Sequence, residues 1–321
     1  MNIKEMDNFN TIIQNINDYN TNKIYIKRED LLPISFGGNK VRISIEYIKD
    51  MMNKKYDVII GYGNSRSNLC RVLSNISYMY NIPCYIVSPS DDDGSRIETN
   101  NSLMVNACEA KYIYCDKTNV ADTIESLIKS LEFQGKKPYY INGDKYGNGN
   151  ESTATTAYYN VYNEINRQEK MLNIKFDYIF LPVGTGMTYA GLLAGQIERK
   201  DDNKIVGISI ARKTDVVIKQ VKKYLNGFSY YNIDDETINK YICVTDKYFT
   251  GGYGKYNEPI KKTSKELYID EGIYTDLTYV AKAFYGMKMY IKENNIIRKN
   301  ILFIHTGSSP LFFDNINEIL R

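Results

Sequence analysis

Residues 177–198 read DYIFLPVGTGMTYAGLLAGQIE. A short apolar run comes first, then a turn with two glycines, then apolar residues at helical spacing. These are read as a strand from Asp177 to Leu181, a loop from Pro182 to Met187 and a helix from Thr188 to Glu198. A second buried strand, Lys204 to Ile210, follows a few residues later. Strand, helix, strand at this spacing is the pattern of parallel strands joined by crossover helices, so the fold class is α/β. The turn Val183-Gly184-Thr185-Gly186-Met187-Thr188 is suited to an anion. Its glycines let backbone approach a phosphate, and the N–H groups of the first helical turn point at it, with a dipole contribution of up to ~2 kcal/mol. A purely structural tight turn reads the same way, and the spacing fits neither the GxGxxG nor the Walker pattern.

The same unit recurs upstream. Asp57 to Gly61 (DVIIG) reads as a strand, Asn64 to Ser67 as a turn, and Asn68 to Tyr80 as a helix with Ser67 as its N-cap. Strand Cys84 to Val87, a helix near Asn101 to Cys108 and strand Lys111 to Tyr114 complete one α/β block. A helix near Ala154 to Glu169 leads into the second block. That block continues through Asp215 to Leu225, a Gly-rich loop at Thr250 to Gly254, helices around Glu258 to Glu271 and Thr278 to Glu293, and strand Asn300 to Ile304. Two lobes are expected, with the first 45 or so residues belonging to the later one.

Composition narrows the function classes. Lys plus Arg number 41 against 38 for Asp plus Glu, with no block of like charge, so nucleic acid is not an expected partner. The apolar run Ile301 to Ile304 is far short of the ~18 residues that span a bilayer, and the N-terminus lacks a basic-then-apolar leader. A cytoplasmic location away from membranes is expected. Five cysteines without CxxC spacing and one histidine offer no zinc quartet, so no metal is expected and the thiols read as reduced.

Three more segments could carry chemistry. Phe36-Gly37-Gly38-Asn39-Lys40-Val41-Arg42 places a lysine at the opening of the helical run Val41 to Met52. Lys40 is either a solvated residue or an amine whose pKa is lowered by desolvation and the helix dipole, which would make it nucleophilic. Gly63 to Asn68 lies at a strand end, where α/β folds put ligands, though a capped turn explains it equally. His305-Thr306-Gly307-Ser308-Ser309-Pro310 also follows a buried strand; without a carboxylate near it in sequence, His305 is read as a supporting residue.

In this order the segments resemble the D-cysteine desulfhydrase and 1-aminocyclopropane-1-carboxylate deaminase family. The resemblance runs over YIKREDLLPISFGGNKVR (Tyr25 to Arg42), Ser67-Asn68, VGTGMTYAGL (Val183 to Leu192), GISIAR (Gly207 to Arg212), GGYG (Gly251 to Gly254), DEGIYTDLTYVAKA (Asp270 to Ala283) and ILFIHTG (Ile301 to Gly307). It implies pyridoxal 5′-phosphate as cofactor on fold type II, the tryptophan-synthase-β-like fold. That fold has two three-layer α/β lobes with parallel-rich sheets: a large lobe from residues 1–50 and 161–321, and a small inserted lobe, 51–160, with the cofactor in the cleft. Lys40 then matches the Schiff-base lysine and mover of the α-proton, and Asn68 the partner of the ring hydroxyl. Gly184, Thr185, Gly186, Met187 and Thr188 match the phosphate cradle, and Thr306 the hydroxyl at the pyridine nitrogen. On the substrate side, Ser67 matches the carboxylate contact and Tyr279 a tyrosine able to act as acid or base. Family members are typically homodimers.

Departures from the family pattern bear on the reaction. Where the family commonly reads QSNH, this chain has Arg66-Ser67-Asn68-Leu69; Val280 follows Tyr279 where ring-opening deaminases carry glutamate; and HTGG becomes His305-Thr306-Gly307-Ser308, with Ser308 and Ser309 adding hydroxyls. A neutral Thr306 at the ring nitrogen favours rapid loss of a β-leaving group. The expected activity is therefore a lyase of the D-cysteine desulfhydrase type, converting a small β-substituted amino acid, D by resemblance, to a 2-oxo acid and ammonia. Alternatives are β-replacement, isomerisation or 1-aminocyclopropane-1-carboxylate deamination and, from another class, a ligand-binding relative without catalysis.

Overall fold

The computed structural model describes residues 9–90, 94–228, 230 and 233–321. The chain forms two compact units, Lys40–Ala154, and Phe9–Asn39 together with Thr155–Arg321. The opening segment Met1–Asn8, expected with the large lobe, lies outside the described residues. Strands β1 (Ile13–Tyr19) and β2 (Asn22–Arg28) come first, then α1 (Asn39–Asn53), β3 (Val58–Tyr62), α2 (Asn68–Met79), β4 (Cys84–Pro89), α3 (Asn100–Ala107), β5 (Lys111–Cys115), α4 (Val120–Phe133) and β6 (Pro138–Tyr140). The chain continues through α5 (Glu151–Leu172), β7 (Tyr178–Val183), α6 (Met187–Arg199), β8 (Lys204–Ser209), α7 (Thr214–Asn226), α8 (Asp235–Tyr241) and β9 (Val244–Thr245). It ends with α9 (Glu258–Glu271), α10 (Val280–Glu293), β10 (Asn300–His305), α11 (Ser309–Asp314) and α12 (Ile316–Leu320).

In the unit built on Lys40–Ala154 the sheet order is β5-β4-β3-β6, all parallel. The chain steps from β3 outward to β5 and returns on the other side as β6, so the order reverses at β3 and the loop after that strand is where a ligand is best placed. The helix after it begins as the sequence implies, with Ser67 Oγ accepting from the Cys70 N–H. Burial pushes the Cys70 and Cys84 thiols up to about 12, which keeps them inert.

In the other unit the order is β1-β2-β10-β7-β8-β9, parallel except for the β1–β2 hairpin. Here the order reverses between β7 and β10, both nearly continuous apolar runs buried on either face, as a covered parallel strand requires. Ile24, Ile26, Phe180, Val206, Ile301 and Phe303 from the strands pack with Phe284, Met287 and Ile291 of α10 to form the core under the strand ends. The hairpin is the element the sequence conceals. β1 is a half-exposed edge strand, and its turn uses Asn20 and Thr21 at φ 49° and 62° rather than glycine. No helix among the described residues is long and apolar enough to cross a membrane.

Candidate active site

The unit containing β7 and β10 holds most of the singled-out residues, at the carboxyl ends of these two strands. After β7 the chain turns through Gly184, Thr185 and Gly186, and α6 starts at Met187. Gly186 is the N-cap at φ +93°, and no side chain caps this end of the helix. A side chain there would strain the backbone, and its Cβ would lie 3.0 Å from Val221 Cγ2. The helix end thus presents backbone N–H groups and a positive dipole to whatever anion it meets.

After β10, Thr306 and Gly307 touch the turn that leads into α1. The parallel register pairs His305 with Arg28, so the loops following the two strands emerge side by side. Gly307 at φ +97° and Gly38 at φ +99° meet backbone to backbone; a Cβ on Gly307 would sit 2.4 Å from Gly38 Cα. Asn39 then makes two bonds that nothing in the sequence announced. Its N–H donates to the Thr306 carbonyl at 3.0 Å, and its Nδ2 donates to Thr188 Oγ1 at 2.8 Å. One residue therefore ties the end of β10 to the start of α6, and the residue that follows it is Lys40. Burial lowers the Lys40 amine to about 8; desolvation accounts for the shift.

His305 bonds to backbone on both ring nitrogens, and a carboxylate is brought to it from far away in sequence. Nε2 donates to the Tyr274 carbonyl at 2.7 Å and Nδ1 accepts from the Gly307 N–H at 3.2 Å, which orients the ring. Asp30, held by a bidentate bond from Arg28, lies 3.6 Å from Nδ1. Ser309 does not offer a spare hydroxyl: it is engaged with the Phe36 carbonyl and the Tyr274 hydroxyl.

Tyr279 stands beside the glycine turn. A Cβ on Gly184 would lie 3.8 Å from its ring, and its hydroxyl is 2.8 Å from that of Tyr253. Asp276 anchors it by accepting the N–H groups of Thr278, Tyr279 and Val280 at the start of α10. Burial raises the Asp276 carboxyl to about 6 against those bonds. Val280, the residue after Tyr279, is fully buried. Tyr253 and Asn39 escaped notice because each works through a partner distant in the chain, whereas Asp276 holds N–H groups only two to four residues on; all three lie within the segments GGYG, FGGNK and DEGIYTDLTYVAKA.

In the other unit the loop after β3 presents Ser67 and Asn68. Asn68 opens α2 and is buried, and its Oδ1 accepts from Asn101 Nδ2 at 3.1 Å and Arg71 Nη2 at 3.5 Å. With the oxygen turned to these two donors, Asn68 directs its Nδ2 hydrogens the other way, as a donor. Asn101 also bonds the Arg66 carbonyl, and Thr99 Oγ1 bonds the Ser65 carbonyl at 2.6 Å, so α3 braces the whole loop. Leu69, the second residue of α2, is buried and apolar.

Comparison with known proteins gives the family and the fold. The family described as pyridoxal-phosphate dependent enzyme matches residues 8–307. D-cysteine desulfhydrase of Serratia proteamaculans is 27% identical over 307 residues, covering 94% of this chain and 91% of that protein. A Pyrococcus furiosus protein, provisionally assigned as a 1-aminocyclopropane-1-carboxylate deaminase, is 29% identical over 301 residues, covering 92% and 88%. The crystal structure of a homologue of that deaminase superposes with a TM-score of 0.81 at 26% identity, covering 97% of this chain and 93% of that one. The two parallel-rich α/β sheets are those of fold type II, and the chain belongs to the pyridoxal-phosphate dependent enzyme family.

Proposed function

We propose that this protein is a pyridoxal phosphate-dependent lyase of the D-cysteine desulfhydrase type, taking a small β-substituted amino acid to a 2-oxo acid and ammonia. The observation that carries the reading is Lys40: an amine lowered to about 8, following an asparagine bonded to both Thr306 and Thr188. The residues present suit the cofactor. An uncapped helix end behind Gly186 suits a phosphate, Lys40 an aldehyde, the Nδ2 of Asn68 a ring hydroxyl, and Thr306 a pyridine nitrogen. Bound there, pyridoxal phosphate would draw electrons from the substrate α-carbon, making its C–H bond acidic and its β-substituent expellable.

The chain's own side chains supply the rest. Lys40, near neutrality in pKa, moves the α-proton. Ser67 spends a lone pair on the Cys70 N–H and keeps its O–H to donate to the substrate carboxylate. Tyr279, paired with Tyr253, exchanges a proton with the departing group. The position after Tyr279, where the ring-opening pattern has glutamate, is the buried and apolar Val280, which weighs against ring opening. For D-cysteine the balance is one water consumed and pyruvate, ammonia and hydrogen sulfide released.

The test is to load the purified protein with pyridoxal phosphate, trap it with borohydride, and locate the modified peptide by mass spectrometry. Modification at Lys40 is expected, and an unmodified Lys40 overturns the reading. In cofactor-stripped protein the free-amine form grows with pH, so trapping rises toward pH 8 and levels above it; a solvated lysine would keep rising to about 10.4. Incubation with D- and L-cysteine, β-chloroalanine and 1-aminocyclopropane-1-carboxylate then reports 2-oxo acid. Lys40→Ala is expected to lower that release roughly a hundred- to ten-thousand-fold. No 2-oxo acid from any β-substituted substrate sinks elimination and leaves β-replacement.

A further inference from the structure

Lys282 is a residue for which the proposed reaction has no direct use. It lies in the first turn of α10 and is fully buried, at the positive end of a helix where a cation is disfavoured by ~0.3–1 kcal/mol. Among the described residues no ion pair joins it. Its three ammonium hydrogens meet three backbone carbonyls instead: Ile210 at 2.9 Å, Phe249 at 3.1 Å and Gly252 at 3.0 Å. A buried charge is tolerated only when fully satisfied, and three donors with three acceptors meet that condition. Ile210 follows the end of β8, and Phe249 and Gly252 belong to the loop in which Gly251 and Gly252 have φ +85° and +144°. The next residue is Tyr253, whose hydroxyl meets Tyr279.

Asp276 and Lys282 thus divide the work around Tyr279. The carboxylate collects three N–H groups and fixes the Tyr279 backbone, while the ammonium collects three carbonyls and fixes the loop bearing Tyr253. A carbonyl cluster of this kind is also the chemistry that replaces the hydration shell of a potassium-sized ion. We propose that Lys282 is a positioning residue that acts as a built-in monovalent cation, gathering the carbonyls of Ile210, Phe249 and Gly252 so that the Tyr253 hydroxyl is held against Tyr279. Its bearing on turnover rests on the reading of Tyr279 as a substrate-side residue; its bearing on the loop does not.

The experiment compares wild type, Lys282→Ala and Lys282→Met as holoenzymes, at matched ionic strength, in choline, lithium, potassium and ammonium chlorides. Hydrogen exchange by mass spectrometry reads the peptide 248–256, and 2-oxo acid release is followed alongside. In choline, Lys282→Ala exchanges that peptide about tenfold faster than wild type, with β10 and α9 unchanged. Potassium and ammonium restore protection and turnover together, lithium does not, and wild type is indifferent to the cation. Lys282→Met, whose side chain fills the space, is loosened and not restored. Exchange that is unchanged at 248–256, that rises uniformly over the unit, or that no cation restores overturns the proposal. If Lys282→Ala does not fold, Lys282→Met decides: loosening confined to 248–256 supports the proposal, and uniform or absent loosening overturns it. Restored protection without any 2-oxo acid release would leave the loop assignment standing and count against the lyase reading.

Discussion

The loops after β7 and β10 are built differently from the loop after β3. The first two work through the backbone: an uncapped helix end at Gly186, and Gly38 packed directly against Gly307. The third works through side-chain amides, with Asn68 oriented by Asn101 and Arg71 from two helices. Backbone N–H groups cannot be swapped by mutation and suit an invariant anion; side-chain amides can be aimed, and suit a group whose hydrogen-bonding direction matters. The contrast predicts that steric substitutions damage the first region most, and polarity substitutions the second.

Gly307→Ala should do the greatest harm. Its φ of +97° strains any L-residue, and the new methyl would meet Gly38 Cα at 2.4 Å, a backbone contact that cannot rotate away. Strain of ~1–3 kcal/mol and displacement of similar size together give a loss of about 2–6 kcal/mol by urea unfolding. Separation of the loops should also release Asn39 from Thr306 and slow cofactor trapping at Lys40. Gly272→Ala is the control, since Gly272 has φ +67° with open space around it. Equal losses at the two positions would remove the contact argument.

The same contrast explains how much could be read from the sequence. GTG at Gly184 to Gly186 is a local device, legible as a candidate anion turn because the residues that form it are adjacent; GGNK at Gly37 to Lys40 was legible as a turn and a lysine, but the contacts of Gly38 and Asn39 with Gly307, Thr306 and Thr188 were not. The parallel strands were legible because burial on both faces demands continuous apolar runs. Asn39 and Asn101 were not singled out, because their partners Thr306, Thr188 and Asn68 lie far along the chain. Lys282 resembled an ordinary helical lysine, since no pattern of residue types encodes three backbone carbonyls. The β1–β2 hairpin was hidden by its polar edge strand and its glycine-free turn.

Asn101→Asp tests the second region through polarity alone. The substitution keeps the shape of the side chain but places an acceptor where Nδ2 donated to Asn68 Oδ1 and to the Arg66 carbonyl. Two facing acceptors repel, so the Asn68 amide should turn over and present its oxygen where it now presents a donor. The stability loss should be about 1–3 kcal/mol, the cost of buried groups left unmatched. The sharper readout is the cofactor: its affinity should fall at least as far as with Asn68→Ala, with a shifted visible absorption band. An unshifted band together with unchanged affinity would mean that Asn101 only braces the loop.

The smallest effect on folding separates two roles of one hydroxyl. Ser67 Oγ caps α2 by accepting from the Cys70 N–H at 3.2 Å, and in the proposed reaction its O–H also faces the substrate. Alanine at an N-cap costs ~1 kcal/mol, while glycine costs only a few tenths, because without a Cβ the backbone there stays hydrated. Ser67→Ala should therefore lower the unfolding free energy measurably, and Ser67→Gly should leave it nearly as in wild type. If the hydroxyl binds substrate, both variants lose it equally, and KM for the amino acid should rise by the same factor in each, with Lys40 trapping unchanged. A KM that follows the stability order instead, worse in alanine than in glycine, would show that Ser67 acts only through the helix it caps, leaving carboxylate recognition to the donors of the neighbouring loop backbone.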